Sequence, residues 1–315
     1  MDSDSAVVNA SEVNQSKPES LQQTGETRSL LLDVLREIAK NIGMGIPAVR
    51  DWRLRKPRAG KFFSGSDEEL VRYAFYPVSN LLEVIGGVAD LDVVEIGPGD
   101  FMTSGLSMLA AGAKSYTIID RFPGNYQTPE AKVWYRGIKE AWPRFFSKFK
   151  WPEYLAVDDF PEAYSDRIDI LTGTIEEAHA EKLYDVVCSY QVGEHVTDIE
   201  AFARANAEFL KPKGTAVHRV DFGPHDCWSY YQDRLTFLRF PEWLWWLMGS
   251  NRATPNRQRY HQVHAALEKA GLKVEVIGLE LFPEEMVASA RLAKQFQGMP
   301  LDSLTVGTAI FVCRR

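Results

Sequence analysis

The sequence predicts an α/β fold, a doubly wound and mostly parallel sheet of seven strands with helices on both faces, preceded by a helical segment. Three observations predict it. Past Asp90, short runs rich in β-branched residues recur, and helical stretches separate the first six of them; such alternation implies parallel strands joined by crossover helices. Each run is nearly continuous in apolarity instead of alternating, as in strands buried on both faces. With 315 residues, the chain can bury about three quarters of its unfolded surface and needs no disulfide or metal to fold.

Taken in order, residues 1–25 are rich in Ser, Gln and Asn and poor in apolar side chains, and read as a disordered arm. Residues 26–88 read as a helical cap. Leu30, Leu31, Val34, Leu35 and Ile38 recur at helical spacing until Gly43 and Gly45 interrupt them. A basic stretch follows at Arg50, Arg53, Arg55, Lys56, Arg58 and Lys61, better suited to a solvated linker than to a phosphate site. The sequence from Ser66 (S-D-E-E) has the pattern of an N-cap and opens a second helix over Asp67 to about Ile85. Residues 89–315 form the main domain. Its strands are expected at 93–97, 116–120, 168–173, 184–190, 215–222, 273–279 and 305–313. Two connections are too long for ordinary turns: 122–165, which carries five prolines, and the aromatic-rich 223–258, after strand five. Insertions of this kind usually serve as lids or substrate walls, so both are expected on the side of a substrate.

The composition excludes several classes. There are 36 Lys and Arg against 43 Asp and Glu, a net charge of −7, which disfavours a general nucleic-acid coat protein. Cys188, Cys227 and Cys313 stand far apart, without a C-x-x-C pair. That pattern fits a reducing compartment and excludes a four-cysteine zinc site. No apolar run reaches ~18 residues, and the polar, acidic start lacks the pattern of a secretory signal. A cytoplasmic location is expected.

The strongest local signal is V-V-E-I-G-P-G-D-F-M (93–102). A strand ends at Gly97, and Gly97 and Gly99 let the backbone turn sharply and lie against a ligand. Asp120 closes the next strand, where a carboxylate can accept the hydroxyls of an adenosine ribose. A dinucleotide site would need a third glycine where Met102 stands, and Asp100 would repel a pyrophosphate. Glu95 adds further negative charge. The loop is thus better suited to a cationic sulfonium donor than to NAD.

The motifs E-I-G-P-G (95–99), I-I-D (118–120), L-T-G-T-I-E (171–176), Y-D-V-V-C-S-Y (184–190), G-E-H-V (193–196) and F-L-K-P-K-G (209–214) follow one another as in class I S-adenosylmethionine-dependent methyltransferases. The chain resembles that family over about residues 80–313. The resemblance implies a Rossmann-like seven-stranded sheet whose last strand is antiparallel, and S-adenosylmethionine as cofactor. It implies that Glu95, Gly97 and Gly99 shape the methionine end and that Asp120, with Arg121 beside it, meets the ribose. Thr174 and Ile175 would flank the adenine. The family often has an Asp at the first of these two positions; here Glu176 is the substitute for the amino contact. Ser189, Tyr190 and Gln191 would border the sulfonium and the acceptor. Lys213 stands where the family commonly has glycine, in what reads as a solvent loop.

Methyl transfer to a hydroxyl needs alignment and a base. His195, after strand four, is either that base, with its tautomer set by Glu194 or Asp198, or a packing histidine. His225 and Asp226, just past strand five, are the other candidates, whereas His218 is expected inside the strand and His261 and His264 in packing or solvated roles. Some quinone-precursor methyltransferases resemble E-x-x-E-H at the His195 loop and use a metal. Here Gln191 replaces the first acid, leaving Glu194, His195 and a remote Asp226, and no metal centre is expected. Trp228, Tyr230, Tyr231, Phe237, Phe240, Trp243, Trp245 and Trp246 offer a wall for a hydrophobic acceptor or a core for a helix pair. Membrane contact through 243–248 ranks lower, because no basic face accompanies that segment in sequence. The sequence thus points to O-methylation of a hydrophobic, aromatic or glycosylated small molecule. The alternatives are an RNA or protein methyltransferase using residues 50–61, or a non-catalytic cofactor-binding subunit. The helical cap is a candidate homodimer contact.

Overall fold

A computed structural model of the chain describes residues 29–55, 66–178 and 182–315. The expected arm at 1–25 and the basic residues Lys56, Arg58 and Lys61 lie outside the described residues. The helices and strands, in chain order, are α1 (Leu30–Gly45), α2 (Pro47–Arg55), α3 (Asp67–Leu70), a π-helical stretch (Val71–Phe75), α4 (Tyr76–Ile85), β1 (Asp92–Ile96), α5 (Thr103–Ala110), β2 (Ser115–Asp120), α6 (Pro129–Phe145), β3 (Ile168–Thr172), β4 (Tyr184–Tyr190), α7 (Ile199–Phe209), β5 (Leu210–Asp221), α8 (Glu242–Gly249), α9 (Tyr260–Lys269), β6 (Lys273–Leu281), α10 (Glu284–Ser289), α11 (Leu301–Thr305) and β7 (Val306–Arg314).

The seven strands form one sheet in the order β3-β2-β1-β4-β5-β7-β6. The first five are parallel, and β7 runs antiparallel to both β5 and β6. The chain winds outward from β1 in one direction and from β4 in the other. Their carboxyl ends therefore flank the crevice where open α/β sheets take their ligands. One face of the sheet packs under α4, α5 and α6, through Val78, Leu81, Leu106, Leu109, Trp134 and Trp142. The other packs under α7 and α9, through Phe202, Phe209, Val263 and Leu267.

The segment 122–165, expected on the acceptor side, belongs to the first of these layers. Its helix α6 buries Trp134, Tyr135, Ile138 and Trp142 completely, and Trp142 stacks on Phe146 at 4.3 Å. Its length is taken up largely by a sheet-covering helix, and its first residues lie against the glycine loop, where a Cβ on Gly124 would stand 2.9 Å from the Asp100 carbonyl oxygen. The aromatic segment builds a third core, away from the sheet, from Trp228, Phe237, Phe240, Trp245 and Met248.

The residues read as one helical cap divide between two places. Helices α3 and α4 join the sheet's first layer. Helix α1 instead docks beside α8, with Val34, Leu30 and Ile38 on the aromatic core and polar groups alongside them. Asn41 donates to the Leu247 carbonyl at 2.9 Å and accepts from the Asn251 amide at 2.8 Å. The Tyr231 hydroxyl donates to Asp33 at 2.8 Å, and Glu37 pairs with Arg252 and, at 2.7 Å, with Lys40.

Strand β5 begins five residues earlier than its sequence suggests, and L-K-P-K-G lies within it instead of in a solvent loop. The price is an irregular register against β4, with Lys213 in the left-handed region at φ +69°. A side chain there costs on the order of 1 kcal/mol. Lys213→Gly is therefore expected to stabilise the fold by about 1 kcal/mol, read as a shift in denaturant midpoint at unchanged slope.

Candidate active site

The carboxyl edge of the sheet brings together the ends of β1, β2, β4 and β5. After β1, Gly97 and Gly99 take φ +65° and +83°. A Cβ on Gly97 would stand 2.8 Å from Val192 Cγ2, whereas one on Gly99 would meet nothing within 4 Å. The first glycine thus lets the loop after β4 close onto this bend, and the second leaves open space above the turn. Asp120 ends β2. Its Oδ1 accepts the Phe122 amide at 2.7 Å, which fixes the carboxylate at the rim. Gly173, after β3, donates to the Asp120 carbonyl at 3.0 Å and so brings Thr174 to Glu176 alongside. Arg121 is exposed, with its guanidinium 5.5 Å from the Phe122 ring. Gly97, Gly99, Asp120, Arg121, Thr174 and Glu176 accordingly share one rim.

Other expected cofactor residues point elsewhere. Glu95 is completely buried beneath the loop, where it accepts hydrogen bonds from Tyr116 and Ser104. The pleat sends Val93 and Glu95 into the first layer, so this carboxyl does not line the methionine end. Burial pushes it up to about 7, against the bonds from Tyr116 and Ser104. Ile175 lies in the second core, and Glu177, not Glu176, caps the turn by accepting the Thr174 amide at 3.0 Å. Ser189 is buried and bonded to His218 Nδ1 at 2.8 Å, and the Tyr190 hydroxyl donates to the Pro77 carbonyl. Both side chains are thus engaged within the protein. Gln191 is exposed, with φ +57°, at the tip of the turn after β4.

A carboxyl whose folded pKa lies above its unfolded value stabilises fully below the unfolded pKa and loses that contribution as pH rises through the folded one. Glu95 moves from 4.5 to about 7. Stability is therefore expected to fall by about 3 kcal/mol between pH 4.5 and 8 on this account. Glu95→Gln should flatten that slope in denaturation curves measured across the range.

Across the edge from Asp120, the short 3₁₀ turn Gly193–His195 follows β4 and faces the end of β5. Asn256 clamps this turn. Its side-chain amide donates to the Gly193 and Val196 carbonyls at 2.9 Å each, and its backbone amide donates to the Glu194 carbonyl. His195 and His225 meet edge to face with ring centroids 5.0 Å apart. Burial holds His195 down at about 4, so it is neutral, and its Nδ1 is buried without a partner among the described residues. Burial raises Glu194 to about 8. His225 Nε2 stands 3.4 Å from Asp221 Oδ2. This is an ion-pair contact rather than an aligned hydrogen bond. Burial opposes the charged imidazole, but Asp221 outweighs it and holds the His225 pKa above its ordinary value.

Asp226 does not join this cluster. Its backbone sits at φ +50° and its carboxylate pairs with Arg252 at 2.9 Å, on the side facing α1. The missed members are Asp221 and Asn256. Asp221 was visible in the sequence as the acid four residues before His225, at a strand end; Asn256 gave no signal. His218 is buried in β5, His261 contacts Ser303, and His264 pairs with Glu268 at 3.3 Å, all in packing or surface roles.

Glu194, His195 and His225 each bring one ligand atom within 4.8 Å of the others. Among the described residues, Glu194 Oε1, His195 Nδ1 and His225 Nε2 are also buried without hydrogen-bond partners. Two imidazoles and one carboxylate suit a borderline ion such as zinc or iron(II) better than magnesium. The third group placed to serve as a donor is His225, not the Asp226 considered from sequence.

A profile for a methyltransferase domain matches residues 70–276. The chain belongs to this family: it carries a class I methyltransferase domain, whose cofactor is S-adenosylmethionine. Among curated relatives, the ubiquinone biosynthesis O-methyltransferase of Rickettsia canadensis is 25% identical over 142 residues, 45% of this chain and 48% of that protein. The enzyme of the same name from Rickettsia akari is 41% identical over 51 residues, 16% of this chain and 20% of that one. The chain thus matches about half or less of the length of these relatives. Solved structures with a similar fold include an S-adenosylmethionine-dependent methyltransferase from Mesorhizobium loti. That structure is 15% identical with a TM-score of 0.44, over 75% of this chain and 96% of the other. Another is phosphoethanolamine N-methyltransferase 2 from Haemonchus contortus, 11% identical with a TM-score of 0.45, over 76% and 52%.

Proposed function

We propose that the enzyme methylates a hydroxyl oxygen of a small hydrophobic molecule, with His225 as the base and Asp221 positioning it. The observation that carries this reading is the Asp221–His225 pair, which faces His195 and Glu194 at the ends of β4 and β5, next to the glycine bend that Val192 touches. The relatives named O-methyltransferases support an oxygen acceptor.

Bound S-adenosylmethionine would supply the electrophilic methyl group and leave as neutral S-adenosylhomocysteine. Asp120 would hold its nucleoside end, and the Gly97–Gly99 bend leaves room for the remainder. His225, with Nε2 turned to Asp221, would take at Nδ1 the proton that the acceptor hydroxyl loses as its oxygen is methylated. His195, uncharged because it is buried, stands against His225 without repelling the imidazolium that forms. A panel of phenols and catechols, with S-adenosylhomocysteine release as readout, tests the proposal. Turnover confined to amines, RNA or protein substrates would reject it.

The three unpartnered atoms favour a second reading, in which Glu194, His195 and His225 hold a divalent ion that lowers the acceptor's pKa. Loss of turnover with a chelator, restored by zinc or iron(II), would select that reading. Insensitivity to chelators selects the base.

A further inference from the structure

We propose, on the reading of His225 as the base, that Arg252 is its positioning residue and that helix α1, ahead of the residues 70–276 that the methyltransferase profile matches, supplies the buried anchor. Arg252 stands in the turn after α8, where its amide donates to the Gly249 carbonyl at 2.9 Å. Its guanidinium joins two carboxylates from distant parts of the chain. Nη1 pairs with Glu37 of α1, and Nη2 donates to Asp226 Oδ2 at 2.9 Å. The planar fork of an arginine holds two acceptors in fixed directions, which a lysine ammonium does not. The side chain of Glu37 is 2% exposed and that of Arg252 16%. Burial opposes the charge on Glu37, but the bonds from Lys40 and Arg252 outweigh it and keep its pKa below the ordinary value. The anchor is therefore an anion at neutral pH. The Cys227 thiol, on the residue after Asp226, is buried against the same carboxylate.

The other carboxylate adjoins the base. Asp226 holds φ +50°, a left-handed conformation unfavourable for a residue with a side chain, and its pair with Arg252 opposes relaxation of the turn. The backbone carrying His225 is thus tied on both sides. Before it, the Phe222 amide donates to the Gly307 carbonyl at 2.7 Å; after it, Asp226 is held by Arg252. Between these ties, Nε2 of the imidazole makes no aligned hydrogen bond among the described residues, and Asp221 stands 3.4 Å away. Where the ring points is therefore set by the turn that Arg252 holds. The same segment serves the facing ring. The Asn251 amide donates to Asn41 of α1 at 2.8 Å, and Asn256, further along, clamps the turn that carries His195. Both histidines thus take their places from α1, one through Arg252 and the other through the segment that ends at Asn256.

Ring-proton NMR of the full chain with labelled histidines, saturated with S-adenosylhomocysteine, tests this. Cross-relaxation between the His195 and His225 rings, whose centroids lie 5.0 Å apart, is expected in the parent protein. It should be lost in Arg252→Gln and also in Asp226→Asn, a half-exposed site where asparagine keeps the left-handed turn and the fold. Lys40→Met, which removes the other cation on Glu37, should retain it. With the best acceptor from the phenol and catechol panel, kcat should fall by up to about a hundredfold in the first two variants. KM and S-adenosylhomocysteine affinity should stay nearly constant, which separates a misplaced ring from a damaged fold. The double variant should be no slower than Arg252→Gln alone, because both changes break one pair. An intact ring contact with wild-type kcat in Arg252→Gln overturns the proposal, and so does an equal loss in Lys40→Met. His225→Ala, measured beside them, keeps the two readings apart: full activity there counts against the base, whereas full activity in Arg252→Gln alone counts against the positioning role.

Discussion

His225→Ala is expected to lower kcat by roughly two to four orders of magnitude, with S-adenosylhomocysteine affinity unchanged. The residue follows β5 by four positions, and its ring is held between Asp221 and His195. Removing it takes away the one imidazole in the cleft whose environment favours taking a proton; His195, held at about 4, cannot substitute at neutral pH. Asp221→Asn tests the positioning role separately. It leaves the imidazole in place but removes the charge that stabilises its protonated form, so kcat should fall while KM stays nearly constant. Single-turnover measurements with both variants check the pair. Wild-type rates in His225→Ala would remove the base from the mechanism.

The second large effect is expected at Asp120. Asp120→Ala should weaken S-adenosylhomocysteine binding by about 3 kcal/mol, on the order of a hundredfold, because each hydrogen bond to a charged acceptor contributes about 1.5–3 kcal/mol. The Asp120 carboxylate is fixed at the rim by the Phe122 amide, so its orientation is set before the ligand arrives. Asp120→Asn, which keeps an acceptor but loses the charge, should fall between. Calorimetry reads both. Unchanged affinity in Asp120→Ala would place the ribose elsewhere.

The strands and the glycine bend were legible because parallel strands buried on both faces leave a continuous β-branched signature, and positive-φ turns leave glycines. What failed was sidedness. Glu95 and Ser189 lie in strands correctly located, but the period of two does not say which face looks toward the cleft, and both face a core. Asp226 was chosen over Asp221 because it adjoins His225 in sequence. The left-handed turn at Asp226 sends it to Arg252, while the strand end returns Asp221 to the imidazole. The periodicity of α1 was real, and Leu30, Val34 and Ile38 do face the core, but buried Asp33, Glu37 and Asn41 share that face while Leu31 and Leu35 turn outward. Nothing in its own sequence reveals that Arg252 and Tyr231 await it.

The clamp at Asn256 ties catalysis to the periphery. Its neighbour Pro255 receives the Trp245 indole N–H at 3.0 Å, and Arg257, buried over the Trp245 ring, donates to the Phe240 carbonyl at 2.7 Å. The turn bearing His195 is thus suspended from the aromatic core beneath an outer helix. Its rigidity is borrowed, and a push or tilt at the protein's surface would be felt as a shift of His195 against His225.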